Sequence, residues 1–363
     1  MWIEKLTIKN CRIIENSQID FSPEFNIIVG ENGSGKSSLI EALTLLSSGR
    51  SFRTSRIKEL INYHKESVLI SSKIRSDQLI HNYTQIGIEK RPGKTSIRIN
   101  QQDIHTQSEL SRFLPVTVIH PDSIKLITGS PSERRAFIDW IAFYSFPAFY
   151  SLWKRYKHIL KQRNLCLKLS SHRYALDQWT HELVSLQSEI HQYRLRSVLL
   201  LNPVLSSICD ELLGGINVKL ELKSGFPIDI DLKKNRLLEF YNAKEANDLK
   251  MGRTMFGVHR SDITILIDNV PAIQCASRGQ LKLLAVSLFL AQSKSIKVDN
   301  DSKLGIIIID DLAAELDFDN KKKLLSFLTQ LDQQLILTTT DIQKLPLENA
   351  KVFHVKHGVI ENI

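Results

Sequence analysis

The segment Gly30-Glu31-Asn32-Gly33-Ser34-Gly35-Lys36-Ser37, continued by Ser38, constrains this chain more than any other. It fits G-x-x-x-x-G-K-[ST], the pattern of a phosphate-binding loop. Its surroundings are the ones such a loop needs. Ile27-Ile28-Val29 reads as a buried strand before it, and Ser38-Leu39-Ile40-Glu41-Ala42-Leu43 as a helix after it. Glycines let the backbone curl until successive N–H groups face one point. The helix N-terminus adds partial positive charge there. Lys36 is then placed to reach the β- and γ-phosphates of a nucleotide, and the Ser37 hydroxyl to hold Mg²⁺. An ordinary glycine-rich turn is the bland alternative, and context outweighs it.

A second constellation lies far downstream. Gly305-Ile306-Ile307-Ile308-Ile309-Asp310-Asp311 is an apolar run ending in two carboxylates. Such a run suits a central parallel strand covered on both faces. Its C-terminal end is where open α/β sheets bind ligands. Asp310 is the natural Mg²⁺ partner, through water, and Asp311 the group to orient an attacking water. Buried strands often end in aspartate, so this run gains its weight from the loop at Gly30. A third element, Ser277-Arg278-Gly279-Gln280, opens the apolar helix Leu281 to Leu290. A serine and a glycine at a helix start make an anion site, although a plain N-cap has the same look.

Periodicity sets the organisation. Trp2 to Lys9 alternates loosely, and Phe25 to Val29, Val68 to Ile74, Tyr83 to Lys90, Thr95 to Asn100 and Val116 to Ile119 read as further strands. From about Ser132 the period is helical. Leu176, Trp179, Leu183, Leu186, Ile190 and Tyr193 form a seam with spacings of three and four, and Phe149, Leu152, Tyr156 and Ile159 form another. The spacing predicts a short antiparallel helical hairpin turning near Ser170-Ser171. Strands return at Ile216 to Leu222, Ile263 to Ile267, Leu304 to Ile309, Gln334 to Thr338 and Val352 to Val355, with helices at Arg278 to Lys294 and Asn320 to Leu331. The expected division is a split α/β domain, 1–121 with 251–363, interrupted by a mainly helical domain, 122–250.

A chain of 363 residues has room for two or three domains at roughly 150 residues each. No apolar stretch is long enough for a transmembrane helix, and the N-terminus lacks the apolar core of a secretory signal. Membrane, secreted and disordered classes are therefore not expected. Cys11, Cys166, Cys209 and Cys275 are too scattered for a zinc site or a disulfide framework, which fits a reducing cytoplasm.

The charge is lopsided. Lys plus Arg number 48 against 39 Asp plus Glu, giving a net +9. That balance favours a polyanionic partner such as nucleic acid. Between Lys154 and Arg173 the charged residues are all basic: Lys154, Arg155, Lys157, Lys161, Arg163, Lys168 and Arg173. On a helical hairpin they read as phosphate contacts, weighed against a merely solvated face. Arg50, Arg53, Arg56 and Lys58 form a second candidate patch. Trp153, Tyr156 and Tyr174 have helical spacing and read as core rather than as base-stacking platforms. His259 has no second ligand at metal spacing and reads as structural.

The loop, the Ser277-Arg278-Gly279-Gln280 segment, the Asp310-Asp311 strand and Ala314-Glu315-Leu316-Asp317, in this order, resemble ABC-type ATPase heads. The long gap between the halves of the site is similar to the split heads of SMC-class DNA-maintenance ATPases. Further segments narrow the likeness: Asn10-Cys11-Arg12, Gly49-Arg50-Ser51-Phe52-Arg53-Thr54, Gly129-Ser130-Pro131-Ser132-Glu133-Arg134-Arg135-Ala136-Phe137-Ile138-Asp139 and Gly257-Val258-His259-Arg260-Ser261-Asp262. Together they resemble the RecF family of bacterial recombination mediator ATPases over nearly the whole chain.

The resemblance implies an ABC-type head with a P-loop core and an antiparallel β-subdomain. It implies ATP with Mg²⁺ as cofactors. It implies an ATP-dependent head-to-tail homodimer, in which Ser277, Gly279 and Gln280 of one protomer face the γ-phosphate held by the other. Arg12 would lie near the nucleotide, and Asp317 in the loop that crosses the dimer interface. The partners implied are double-stranded and gapped DNA, single-stranded DNA, RecR and RecO, and through them RecA. The place implied is the nucleoid in the cytoplasm, with no membrane partner.

Three positions depart from the general ABC pattern. Asp311 stands where most heads have glutamate, His120-Pro121-Asp122 where a glutamine is usual, and Thr338-Thr339-Thr340-Asp341 where many use a histidine. RecF-like proteins share these features. They point to slow hydrolysis suited to a timed clamp, and the resemblance implies that DNA stimulates it. Rival readings are an ABC transporter subunit, a DNA-structural protein that binds ATP without turning it over, and a short SMC-like head.

Overall fold

The computed structural model describes residues 1–75, 83–227, 230–296, 305–311, 316–341 and 350–363. They form two compact units, Met1–Ser123 with Lys282–Ile363, and Ile124–Leu281.

The first unit is built on two sheets. In one the strand order is Val359–Asn362, Ala350–Lys356, Phe25–Val29, Leu335–Thr339, Ile306–Ile309, Val116–Ile119. Its pairings are parallel except for the antiparallel edge hairpin 350–362. Every residue of Ile306–Ile309 and Leu335–Thr339 is buried, as strands covered on both faces require. The other sheet is antiparallel, in the order Ile14–Asp20, Trp2–Cys11, Val68–Arg75, Thr84–Arg91, Lys94–Ile99, Gln102–Ile104. The helix Lys36–Ser48 is buried almost all round. Its Leu39, Leu43 and Leu46 share one core with Leu6 and Ile8 of the antiparallel sheet and with Ile28, Ile308 and Ile336 of the parallel one. The helix ends at Gly49, whose φ of 66° supplies the left-handed cap.

The loose alternation of the first strand has a local cause. Its register shifts between Ile3 and Lys5, so Ile3 and Leu6 both reach the core although three residues apart. A bulge adds one residue and flips the phase of the pleat. The strand expected from Leu304 is described from Ile306, and Leu304 lies outside the described residues.

The second unit packs the helices Pro131–Ser145, Phe149–Lys168, Leu176–Leu213 and Lys234–Met251 with a small antiparallel sheet ordered Val270–Pro271, Asp262–Ile267, Val218–Lys223. The two helices of the predicted hairpin meet through Phe149, Tyr156, Ile159, Leu183, Leu186 and Ile190. The turn between them is the 3₁₀ segment Ser170–Ala175. The second helix outruns its seam, continuing for 38 residues to Leu213.

One expected boundary moves. Residues 251–281, assigned from sequence to the split α/β domain, group with the helical unit. The reason is strand pairing: Asp262–Ile267 lies along Val218–Lys223 from Asp262↔Lys223 to Ile267↔Val218. Arg134 also fixes Asp262 with two hydrogen bonds, at 2.7 and 3.0 Å. Among the described residues, no helix is long and apolar enough to cross a membrane.

Candidate nucleotide site

The loop from Gly30 to Ser37 leaves the parallel sheet and enters the helix at Lys36. Gly30 is required by crowding, since a Cβ there would meet Val355 O at 2.5 Å and Ser34 Oγ at 2.6 Å. Gly33 and Gly35 have φ of 80° and 123°, backbone that side chains rarely tolerate. No side chain caps this helix. Its first N–H groups have no intrahelical acceptors and are available to an anion.

Lys36 Nζ donates to the carbonyls of Gly30 and Glu31, at 2.6 and 2.9 Å. Burial holds its pKa below the ordinary lysine value, while the negative charges of Asp311 and Asp310 pull it back up. Ser34 Oγ is buried without a hydrogen-bond partner. A folded loop with an orphaned hydroxyl, a buried ammonium and an uncapped helix start has the donors that phosphate oxygens need.

The carboxylates arrive from the end of a neighbouring strand. Asp310 is buried and its N–H donates to Ile119 O at 2.7 Å. Asp311 follows in the left-handed region, with φ 48°. Asp310, Asp311, Lys36, Ser37, Ser38, Asn32, Gly33, Gly35 and Arg12 line one cleft of about 480 Å³. That size is in the range of small-molecule sites. A serine hydroxyl and a carboxylate are hard oxygen donors of the kind Mg²⁺ takes alongside a substrate's phosphates, so Ser37 and Asp310 fit the ion. Among the described residues, no cluster of three or more His, Cys, Asp or Glu makes a metal cage independent of a ligand.

Arg12 is held at the cleft by a residue the sequence reading does not single out. Its Nε and Nη2 donate to Glu41 Oε2 and Oε1, at 2.8 and 3.0 Å. Glu41, on the loop's own helix, is fully buried and also accepts from Ser51 Oγ. Arg12 itself sits at φ 54°, and its backbone is fixed by Leu60 O at 2.8 Å and Asn62 Nδ2 at 2.6 Å. A signal for this pair exists in the sequence: a glutamate inside an otherwise apolar buried helix needs a partner. Arg53, Thr54 and Glu59 also line the cleft.

Ser277 and Gln280 form a reciprocal capping box in the second unit. Gln280 N–H donates to Ser277 Oγ at 3.3 Å, and Ser277 N–H to Gln280 Oε1 at 2.9 Å. Both are exposed, and nothing lies within 4 Å of a Cβ built on Gly279. Asp317 caps the helix Phe318–Leu328, accepting from Asn320 N–H at 2.9 Å. Ala314-Glu315 of that segment lies outside the described residues.

The sequence matches the RecF/RecN/SMC N-terminal domain family over residues 2–361. It is 34% identical to the DNA replication and repair protein RecF of Vibrio campbellii, covering 99% of this chain and 100% of that one. For the protein of the same name from Vibrio parahaemolyticus the identity is 35%, over the full length of both. The chain belongs to the RecF family of DNA replication and repair proteins. The fold agrees. A RecF structure solved as RecF–ATP, of the RecFOR pathway, superposes with a TM-score of 0.88 at 24% identity, covering 100% of this chain and 97% of the other. An Smc head bound to the C-winged helix domain of ScpA follows at 0.62 and 21%, with coverage of 100% and 97%. The ABC-type head and its SMC-like relationship are thereby established.

The RecF-family segments around Arg134 and His259 are scaffold within the helical unit. Arg194, fully buried, grips Asp139 with two bonds at 2.7 and 2.9 Å and donates to Ser261 Oγ at 2.6 Å. His259 Nδ1 faces Tyr156 Oη at 2.7 Å and Nε2 faces Thr254 O at 3.2 Å. A carbonyl only accepts, so Nε2 carries the proton and Nδ1 accepts from the tyrosine. Burial, helped by Arg260, Arg135 and Arg163, pushes the His259 pKa down to about 4. A neutral, twice-bonded imidazole is a structural residue, as expected.

The basic stretch needs one correction. Arg163 is not a DNA contact: it has no exposure and bonds Asp248, Thr180 and Thr254. At 3.6 residues per turn it falls on the Tyr156–Ile159 face, and that spacing is the available signal. Lys154, Lys157, Lys161 and Lys168 fall together on the opposite, exposed face. Arg155 is exposed and pairs with Glu182 at 3.3 Å, and Arg173 is exposed beyond the helix end. Tyr156 is core, Trp153 is half-buried, and Tyr174, expected in the core, is 88% exposed. The second patch divides: Arg53 lines the nucleotide cleft, Arg56 pairs with Glu59, and Lys58 borders a separate cleft.

Proposed function

We propose that this chain is an ATP-dependent DNA-binding clamp of recombinational repair, binding gapped duplex near single-strand junctions. The observation that carries the reading is the cleft itself, where the phosphate loop, Arg12 and the Asp310–Asp311 pair converge. ATP and Mg²⁺ are the ligands, with the phosphates on the loop N–H groups, Lys36 and Arg12. Ser37 and Asp310 would hold the ion, which neutralises phosphate charge when bound. Asp311 orients the attacking water. One methylene shorter than glutamate, it supports slow hydrolysis in a clamp that resets rather than a motor.

The capping box at Ser277 presents an uncrowded helix start with Gly279 bare. In the clamp it closes over the γ-phosphate held by a second copy, and Asp317 lies at the same interface. Duplex phosphates meet Lys154, Lys157, Lys161, Lys168 and Arg173, with Arg155 at the rim. Single-stranded DNA, RecR and RecO, and through them RecA, are the further partners, and the nucleoid is the place of action.

The test is the mass in solution by light scattering, without nucleotide, with ATP, and with ATP plus gapped duplex. Wild type is expected to double in mass with ATP, and Ser277→Arg to bind ATP and stay monomeric. No change in wild type would refute the clamp and leave a DNA-binding protein whose exposed serine cap is idle.

A further inference from the structure

We infer that Thr338 is the positioning residue for the metal-side carboxylate Asp310 and the water-orienting carboxylate Asp311, setting both through one hydroxyl. The inference rests on the ATP reading above and adds a residue to it.

Register brings the three together. Leu335–Thr339 runs parallel to Ile306–Ile309 with Leu337 opposite Ile309, so Thr338 comes level with Asp310. Its side chain has no exposure, and water therefore does not compete for its hydroxyl. The O–H donates to Asp310 Oδ1 at 2.8 Å, and a lone pair accepts the Asp311 N–H at 3.0 Å. A hydroxyl has one proton to give, and here it goes to a carboxylate.

One oxygen of Asp310 is thereby committed to the neighbouring strand, which fixes the carboxylate plane at the cleft that Asp310 lines. Asp311 is held at φ 48°, a conformation that favours glycine, by the bond to its own N–H. The direction of the Asp311 side chain depends on that φ. The stretch that in many ABC heads offers a histidine to the nucleotide thus supplies a hydroxyl one step back, acting on the carboxylates.

The experiment uses the full chain. Affinity for ATPγS is measured with excess EDTA and with Mg²⁺, and turnover at saturating ATP. Thr338→Val removes the hydroxyl at nearly constant shape, Thr338→Ala is a second hydroxyl-free variant, and Thr338→Ser restores the oxygen. Metal-free affinity is expected to stay within about 2-fold in all three. The Mg²⁺-dependent gain in affinity falls about 10-fold in Val and Ala, and kcat falls about 10- to 100-fold with KM little changed, the range for losing one buried hydrogen bond to a charged group. Serine recovers both. Wild-type Mg²⁺ coupling and kcat in Thr338→Val would overturn the inference, as would an equal loss of metal-free binding or a serine variant as impaired as valine. Unfolding of both hydroxyl-free variants beside a folded Ser variant would make Thr338 a packing residue and overturn it too. Failure of wild type to bind ATPγS would refute the ATP reading itself, and this inference with it.

Discussion

Arg163 Nη1 donates to Asp248 Oδ2 at 2.9 Å, and both side chains are shut off from solvent. Thr254 Oγ1 accepts from the same nitrogen at 2.7 Å, and the guanidinium lies 4.9 Å from the centroid of the Tyr241 ring. A buried charge is tolerable only while its partner remains. Arg163→Ala should therefore destabilise the protein by about 3–5 kcal/mol, through the stranded Asp248. Urea unfolding reads this as a lower midpoint at unchanged slope. A loss under ~1 kcal/mol would refute the structural role and reopen Arg163 as a surface group.

The opposite face of the same helix behaves differently. Lys154, Lys157 and Lys161 are exposed and share one side, so replacing all three with glutamate should leave stability nearly unchanged. Duplex binding should weaken, and the dependence of log K on log salt should flatten by up to about 2.7, at roughly 0.9 per phosphate contact. An unchanged slope in a folded variant removes this face from the DNA path.

These two residue sets show what a sequence can and cannot reveal. The P-loop is legible because Gly33 and Gly35 answer backbone demands local in the chain, and they complete a pattern with Gly30 even though the crowding at Gly30 comes partly from the distant Val355. The Asp310 strand is legible because double-sided burial leaves a run of isoleucines. Arg163 is misassigned when charge type is read without helical phase. Glu41, Thr338 and the boundary at 281 depend on contacts made across the fold: Glu41 with Arg12, Thr338 with Asp310, and the strand at Asp262 with the one at Val218. Periodicity describes one segment at a time and does not reach such pairs.

The Arg12–Glu41 pair gives a test that joins stability to binding. Glu41 has no exposure, while Arg12 is about one-quarter exposed at the cleft. Arg12→Ala would leave a buried carboxylate with Ser51 as its remaining side-chain donor. A loss of about 3 kcal/mol in stability is expected, together with weaker ATP binding. Arg12→Lys should recover only part of the stability, since an ammonium cannot reproduce the two-pronged contact with Glu41 that holds the side chain at the cleft. Equal ATP affinity in Arg12→Ala and wild type would take Arg12 out of the nucleotide site.

Cysteine reactivity checks the packing independently. Cys11, Cys166 and Cys209 are buried thiols outside any disulfide, and Cys275 is exposed. Burial beside Glu41 pushes the Cys11 thiol up to about 12, so it holds almost no thiolate at neutral pH. Brief alkylation of the native protein should mark Cys275 and spare Cys11. Mass spectrometry of the peptides reads the outcome, and rapid labelling at Cys11 would mean that the end of the first strand lifts from the P-loop helix.

His259 makes a pH prediction with a definite sign. Its folded pKa of about 4 lies below the ordinary 6.5, so between those values the unfolded chain binds more protons. Stability is then full above about pH 6.5 and declines as pH falls toward 4. At about 1.4 kcal/mol per unit, the loss attributable to this residue reaches up to about 3 kcal/mol. Of the groups that face it, Tyr156 Oη needs Nδ1 unprotonated to donate to it and Arg260, Arg135 and Arg163 repel a second proton, while the Thr254 carbonyl at Nε2 favours the charged form and is outweighed by burial. His259→Gln should be less stable than wild type at about pH 7.5, with the gap narrowing as pH drops to about 5. Carboxylates that titrate in the same range contribute to both curves and cancel in the difference. Parallel stability curves for the two proteins would show that His259 takes up its proton at the same pH folded and unfolded, which would refute the buried neutral imidazole.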